Sequence, residues 1–395
     1  MTTRPCRVEI RARSLEENYR FLTTLAAGNA ELLAIVKADA YGHSLEICAP
    51  AAVRAGAKWL GVTSVEEGIA ARRFCPQANV LVIGSVFPGQ GADVVRNGLT
   101  AVVWEAWHLD ELERAARAVE APPGSLPVHL EIDTGMSRQG ADPNALGTLL
   151  ARFTSESPLR LEGVMTHLFA ADEADGAVTH QQLERLDQSL IQIQAAGLHP
   201  ERLNVGNSAA LLAGQTAVFA KHAKQYGMKA MLRPGLALYG LAPDYNPEFE
   251  FEAPDGLKSA RVHLHPVLAW KSAVVGVRSV QAGAVVGYNG TFVATEPMLL
   301  ALVAAGYADG LDRRLSNRFS LLVRGQRAPI VGRISMDQAV LDVTEIPNVA
   351  AGDEVVILGT QGNQTITAFD HAKATSSIPW EVFTRIGSRA QRVAV

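Results

Sequence analysis

The run Leu32-Leu33-Ala34-Ile35-Val36-Lys37-Ala38-Asp39-Ala40-Tyr41-Gly42-His43 places five apolar residues in succession before a lysine and a polar, glycine-containing tail. Continuous apolar residues bounded by turn signals suit a parallel strand buried on both faces. A half-exposed strand would alternate instead. A lysine closing a buried strand is costly unless it is paired or used covalently. Taken alone, Lys37 reads more simply as a side chain that runs its stem along apolar surface to water.

Seven further runs share this texture: Trp59–Thr63, Val80–Ser85, Ala101–Trp104, Val128–Asp133, Leu161–His167, Leu203–Asn207 and Leu232–Tyr239. The segments between them have helical periodicity. Leu15, Tyr19, Leu22 and Leu25 fall on one face, as do Leu183, Leu186, Leu190 and Ile193 ahead of a stop at Gly197. Ser14–Glu17 and Ser64–Glu67 both have the Ser-x-x-Glu form that caps a helix start. Eight strands alternating with helices predict a (β/α)8, TIM-like α/β barrel over residues 11–242. From residue 243 to 395 the texture changes to alternating stretches, Val274–Val280, Leu299–Ala304, Phe319–Val323 and Val355–Leu358, cut by turns. That predicts a mainly β C-terminal domain, to which the alternating residues 6–10 add a strand. Pro247–Lys258 reads as a linker or surface excursion.

The chain has 395 residues, 48% hydrophobic and 19% charged, which suits a globular enzyme. Its 36 basic and 40 acidic residues are spread without long runs, so neither a nucleic-acid stripe nor a membrane-binding face is expected. The opening MTTRPCRVEI lacks the apolar core of a secretory signal. Cys6, Cys48 and Cys75 have neither a disulfide framework nor a metal-ligand spacing. They read as reduced thiols of a cytoplasmic protein, with no metal site.

Barrel enzymes carry their chemistry at the C-terminal ends of the strands. Here those ends hold Lys37, Arg138 after the fifth strand, His167 after the sixth, Asn207 and Ser208 after the seventh, and Arg233 and Gly235 at the eighth. A serine at a helix start is usually only a cap. It can also serve a phosphate, and barrel phosphate sites commonly follow strands seven and eight. A lysine, a histidine, an arginine and a phosphate-type corner at one barrel mouth describe a phosphorylated cofactor held through a Schiff base.

Eight ordered motifs then carry a family resemblance over nearly the whole chain. They are Val36–His43 (VKADAYGH), Asp133–Arg138 (DTGMSR), Thr166–Asp172 (THLFAAD), Asn207–Ala210 (NSAA), Arg233–Gly240 (RPGLALYG), Gly287–Phe292 (GYNGTF), Gly306–Gly310 (GYADG) and Gly332–Gln338 (GRISMDQ). The chain resembles the pyridoxal-phosphate-dependent alanine racemases. The resemblance implies that Lys37 holds pyridoxal 5'-phosphate and works on one face of the substrate α-carbon, while Tyr288 is the base on the other face, reaching in from the second subunit of a homodimer. It assigns Tyr41, Asn207, Ser208, Gly235 and Leu236 to the phosphate, His167 to the cofactor ring and Arg233 to its pyridine nitrogen. It assigns Arg138 and Met336 to the substrate, and Tyr307 and Asp337 to the entrance. The implied reaction is interconversion of L- and D-alanine, supplying D-alanine for cell-wall synthesis.

Two positions depart from the family. Glu131 stands where a carbamylated lysine often orients the substrate-binding arginine, and is expected to orient Arg138 by its own charge. In Ile378–Glu381 (IPWE), Trp380 stands where a tyrosine usually donates to the phosphate. An indole N–H offers a donor but changes the pocket wall, which leaves a broad-specificity or serine racemase open. A cofactor-binding barrel without catalysis would resemble the barrel alone, and the second-domain motifs count against it.

Overall fold

The computed structural model describes residues 4–173, 176–243 and 255–395. It opens with a short strand, β1 (Arg7–Ile10), and a helix, Ala12–Ala26. Eight parallel strands follow: β2 (Ala30–Ile35), β3 (Trp59–Val62), β4 (Asn79–Val82), β5 (Thr100–Val103), β6 (Leu126–Glu131), β7 (Leu159–Met165), β8 (Arg202–Asn207) and β9 (Lys229–Arg233). They close into a barrel in sequence order, with β2 paired to β9. Leu33, Ile35, Trp59, Leu81, Val102, Met165 and Met231 pack inside it as one cluster. The opposite strand faces join the helices in a larger core, which explains why the runs are apolar throughout.

Several expectations need correction. The eighth strand is Lys229–Arg233, whereas Leu232–Tyr239 was expected; Pro234 has no amide for the ladder, and Leu236–Tyr239 turns into a 3-10 helix. The first helix starts at Ala12 after an Arg11 that makes no side-chain cap, so the Ser14–Glu17 capping box does not mark its start. Ser64 does cap its helix, accepting from the Glu67 amide. The expected helix faces are buried at Leu15, Tyr19 and Leu22, and at Leu183, Leu186, Leu190 and Ile193. Most of the Pro247–Lys258 linker lies outside the described residues; its end, Asp255–Ala260, is helical.

The rest of the chain is built on β10 (Leu268–Val280), β11 (Val285–Val286), β12 (Phe292–Val293), β13 (Met298–Val303), β14 (Ser320–Val323), β15 (Gln326–Pro329), β16 (Ala339–Asp342), β17 (Glu354–Gln361), β18 (Gln364–Ile366) and β19 (Gln391–Ala394). An irregularity in β10 between Val274 and Gly276 lets its first half pair with β17 and its second half with β13. β1 inserts between β10 and β19, burying Val8 and Ile10, so the chain's first strand does belong to this second sheet. β11 and β12 form a separate two-stranded ribbon around residues 288–290.

Candidate active site

A cavity of about 550 Å³ opens at the C-terminal ends of the barrel strands, within the range of small-ligand sites. Lys37, Tyr41, Arg138, His167, Asn207, Ser208, Arg233, Gly235, Leu236 and Trp380 all line it. Arg233 and Asn207 close their strands, Trp380 lies on the helix Pro379–Thr384, and the others follow the last residue of a barrel strand, where the ladder no longer dictates which way a side chain points.

Lys37 sits two residues past β2, not within the strand as expected. The backbone after it turns left-handed at Ala38, Asp39, Ala40 and Tyr41, with φ between 51° and 55°. Each such non-glycine residue costs roughly 1–2 kcal/mol. Strain of this kind persists only where neighbouring contacts over-determine it, and it gathers at functional sites. Here Gly42 donates to the Ala38 carbonyl and the Leu45 amide to Asp39 Oδ1. His43 is fully buried below the turn, with Nδ1 2.9 Å from the Tyr41 carbonyl. The Lys37 amine is lowered from the ordinary lysine value by burial, then by Arg138; Glu67 opposes this and Arg233 adds to it.

Arg233 is buried and donates to the Asn204 carbonyl (2.8 Å), Asn204 Oδ1 (2.6 Å) and the Thr166 carbonyl (2.9 Å). Its Nη2 also lies 3.0 Å from His167 Nδ1. A guanidinium has only donors, so that imidazole nitrogen must accept and His167 must be neutral. Burial, then Arg233, Arg138 and Lys37, hold His167 down at about 3. Burial lowers Arg233 to about 10, which leaves it a cation at neutral pH.

Asn207 caps the short helix Ser208–Leu212 by accepting from the Ala210 amide, leaving Ser208 free for another task. Ser208 Oγ accepts from the Gly235 amide (2.9 Å) and the Ala237 amide (3.2 Å). Its own proton is therefore available to an acceptor in the cavity. A Cβ at Gly235 would collide with the Tyr41 hydroxyl, so the glycine leaves that hydroxyl its place. Two hydroxyl donors, Ser208 and Tyr41, thus converge where a phosphate needs them, and the residues fit a phosphorylated cofactor.

Glu131 does not behave as expected. It is buried, which raises its carboxyl above the ordinary range, and its Oε2 accepts from Gln139 Nε2 at 2.5 Å. Gln139 also reaches the Ile83 carbonyl. Among the described residues Arg138 has no ion-pair or hydrogen-bond partner, so the expected Glu131–Arg138 contact is absent. The loop folds Gln139, one residue further on, back over the carboxylate. Sequence reading missed Gln139 and Asn204, although a buried asparagine between Leu203 and Val205 was a visible signal.

Four expected site residues lie outside the cavity. Tyr288 is 69% exposed at the tip of the β11–β12 ribbon, and Met336 is 52% exposed. Tyr307 is exposed and its loop is tied to that of Met336, its amide donating to the Ser335 carbonyl and the Ala308 amide to the Met336 carbonyl. Asp337 pairs with Arg389 at 2.8 Å. All three cysteines are buried and free. Among the described residues no helix is long and apolar enough to cross a membrane.

Two family models match the chain in order, the alanine racemase N-terminal domain over residues 10–243 and the alanine racemase C-terminal domain over residues 267–394. The chain belongs to the alanine racemase family. A curated alanine racemase of Symbiobacterium thermophilum is 37% identical over 389 residues, covering 98% of this chain and 97% of its own length. The alanine racemase from D-cycloserine-producing Streptomyces lavendulae superposes with a TM-score of 0.86 at 33% identity, covering 100% of this chain and 98% of its own. That of Bartonella henselae, a structure with covalently bound pyridoxal phosphate, gives 0.81 at 27% identity over 99% of each chain. The family membership and the barrel-plus-β architecture expected from sequence are therefore both borne out.

Proposed function

We propose that this chain racemises alanine with pyridoxal 5'-phosphate held at Lys37, through two bases on opposite faces of the substrate. The observation that carries this is one cavity joining a desolvated lysine to the Arg233–His167 pair and the Ser208–Tyr41 hydroxyls. Bound pyridoxal phosphate withdraws electrons from the substrate α-carbon and so acidifies its proton. Lys37 Nζ, kept toward its neutral form by burial and the flanking arginines, takes or returns that proton on one face. Tyr288 serves the other face. Its exposure fits a tyrosine that enters a partner's cavity, so the active unit is a homodimer in which Tyr307, Met336 and Asp337 complete the neighbouring site. Arg138 holds the substrate carboxylate, Ser208, Tyr41, Asn207 and the Gly235–Leu236 backbone hold the phosphate, and His167 lies against the cofactor ring. Arg233 keeps its proton, and so leaves the pyridine nitrogen without one and restrains side reactions. Trp380 forms a wall of the same cavity.

The domain division that follows is residues 11–242 for cofactor binding and 243–395, with the first strand, for the second base. The reading extends to a cytoplasmic enzyme whose D-alanine enters cell-wall synthesis. A cofactor absorbance together with rapid deuterium exchange and inversion at Cα of L-alanine in heavy water is the expected result. Comparable exchange with L-serine would favour the broad-specificity reading that Trp380 raises. Cofactor binding without exchange of either amino acid would overturn the assignment of Tyr288.

A further inference from the structure

Ser64–Glu67 has the form of a capping box, in which the glutamate should fold back onto the amide of its own helix cap. Only half of that box forms. Ser64 Oγ accepts from the Glu67 amide, but the Glu67 carboxylate leaves its helix. Oε1 accepts from the Ala38 amide at 2.7 Å and Oε2 from the Thr63 amide at 2.7 Å. The carboxylate thus bridges the end of β3 to the first amide after Lys37, where the backbone enters its left-handed turn. Ala38 has φ 53° with no glycine to ease it, so the contact sits where the turn needs an external partner.

We infer that Glu67 is the positioning residue of Lys37: it fixes the backbone that presents the amine and sets a negative charge beside the cations of the cavity. The inference rests on Lys37 being the proton-transferring lysine. Arg138 and Arg233 favour the neutral amine, and Glu67 is the group that opposes them. His167 is neutral, Tyr41 is raised by burial to about 12, and burial also raises the Glu131 carboxyl. Asp172 and Glu381 are the remaining acids of the cavity wall. Without Glu67 the amine would face two guanidiniums with less opposing charge, and would take up a proton only at lower pH.

The test compares holoenzymes carrying Glu67→Gln, Glu67→Asp and Ser64→Ala by kcat and KM in both directions, pH profile, Tm and retention of cofactor absorbance on dialysis. Glu67→Gln is expected to lower kcat about 10-fold through misplacement of the amine, with KM little changed. In the direction where Lys37 accepts the proton, the acid limb of its rate profile moves to lower pH, and cofactor absorbance is lost faster on dialysis. Glu67→Asp keeps the charge, so its limb stays at the wild-type position while kcat falls. Ser64→Ala removes the cap alone and lowers Tm without moving the limb. A Glu67→Gln enzyme with the wild-type limb and kcat, or one that loses only Tm as Ser64→Ala does, overturns the inference. So does a Glu67→Asp limb displaced as far as that of Glu67→Gln. Racemisation by Lys37→Ala would instead overturn the reading of Lys37 itself, whatever Glu67 does.

Discussion

The surroundings of Lys37 and those of Tyr288 are opposite kinds of environment within one chain. Lys37 lies in a cavity with a backbone locked by Ala38, Asp39 and Leu45 and charges set by Arg138, Arg233 and Glu67. Tyr288 stands on a two-stranded ribbon with most of its side chain in solvent. A base needs water excluded and a fixed position to move a proton efficiently. The first region has a held backbone and a half-buried amine within one chain, and the second has neither. Within one chain the fold therefore completes only half of the proposed site, and the proposed homodimer is what would bring Tyr288 to the other half.

The largest expected effect comes from the buried half. Lys37→Ala should lower racemisation at least about 10³-fold, because it removes both the cofactor's attachment and one base. It should also abolish cofactor absorbance that survives dialysis. Tyr288→Phe keeps the cofactor attached and removes only the opposite base, for a loss of about 10²–10³-fold. Mixing the two inactive variants tests directly whether the two residues act within one chain or across two. If Tyr288 acts in trans, a mixed dimer pairs the Lys37 of one chain with the Tyr288 of the other, and random reassembly restores about a quarter of wild-type activity. If it acts in cis, mixing restores nothing.

The same contrast governs what the sequence could say. The barrel was legible because strands buried on both faces must be apolar at every position. The starts of β2 and β9 were read two and three residues late, since Glu31 and Lys229 look like loop residues but belong to these strands and pair with each other at 3.5 Å. The residues of the cavity were legible as polar groups following apolar strands. The left-handed turn after Lys37 was not, because its four residues before Gly42 are not glycine and its stability comes in part from contacts distant in sequence, Glu67 among them. Glu131 was misread for the same reason: nothing in its strand shows that the loop returns Gln139 to it. Tyr288, Tyr307, Met336 and Asp337 had no local signal at all and were assigned through motif resemblance, because none of them lines the cavity of its own chain.

An intermediate effect is expected from His43 under the Lys37 turn. Its ring packs between Tyr239 and Phe383, with centroids 4.5 and 4.8 Å away, and burial lowers it from 6.5 to about 4. In the unfolded chain it takes a proton near its ordinary value, so between pH 6.5 and 4 the unfolded state binds more protons than the folded one. Stability present above pH 6.5 is therefore lost as pH falls through this window, by roughly 3 kcal/mol for this residue. His43→Asn, which can still donate to the Tyr41 carbonyl, should flatten the fall in urea midpoint between pH 7 and 4.5. An unchanged slope would assign the acid sensitivity to the other histidines that burial lowers in the same sense, His108, His129, His167, His222 and His371.

The smallest effect concerns which half of the site selects the substrate. Trp380 belongs to the half built within the chain; it lines the cavity, and its carbonyl accepts from Thr384 Oγ1, which holds its helix whatever ring it carries. Met336 lies outside that cavity and belongs, in the proposed dimer, to the other half. Serine differs from alanine by one hydroxyl, and an apolar wall discriminates only weakly against such an addition. Trp380→Tyr should therefore change the alanine-to-serine ratio of kcat/KM by less than about 10-fold. It also returns a phenolic donor to the position where the family places one against the phosphate, so the cofactor should be retained longer on dialysis. A shift far beyond that range would make the wall built within the chain the specificity determinant. No shift, paired with a change in Met336→Ala, would place selection in the half contributed by the partner, and the buried region would then supply attachment and charge without choosing the substrate.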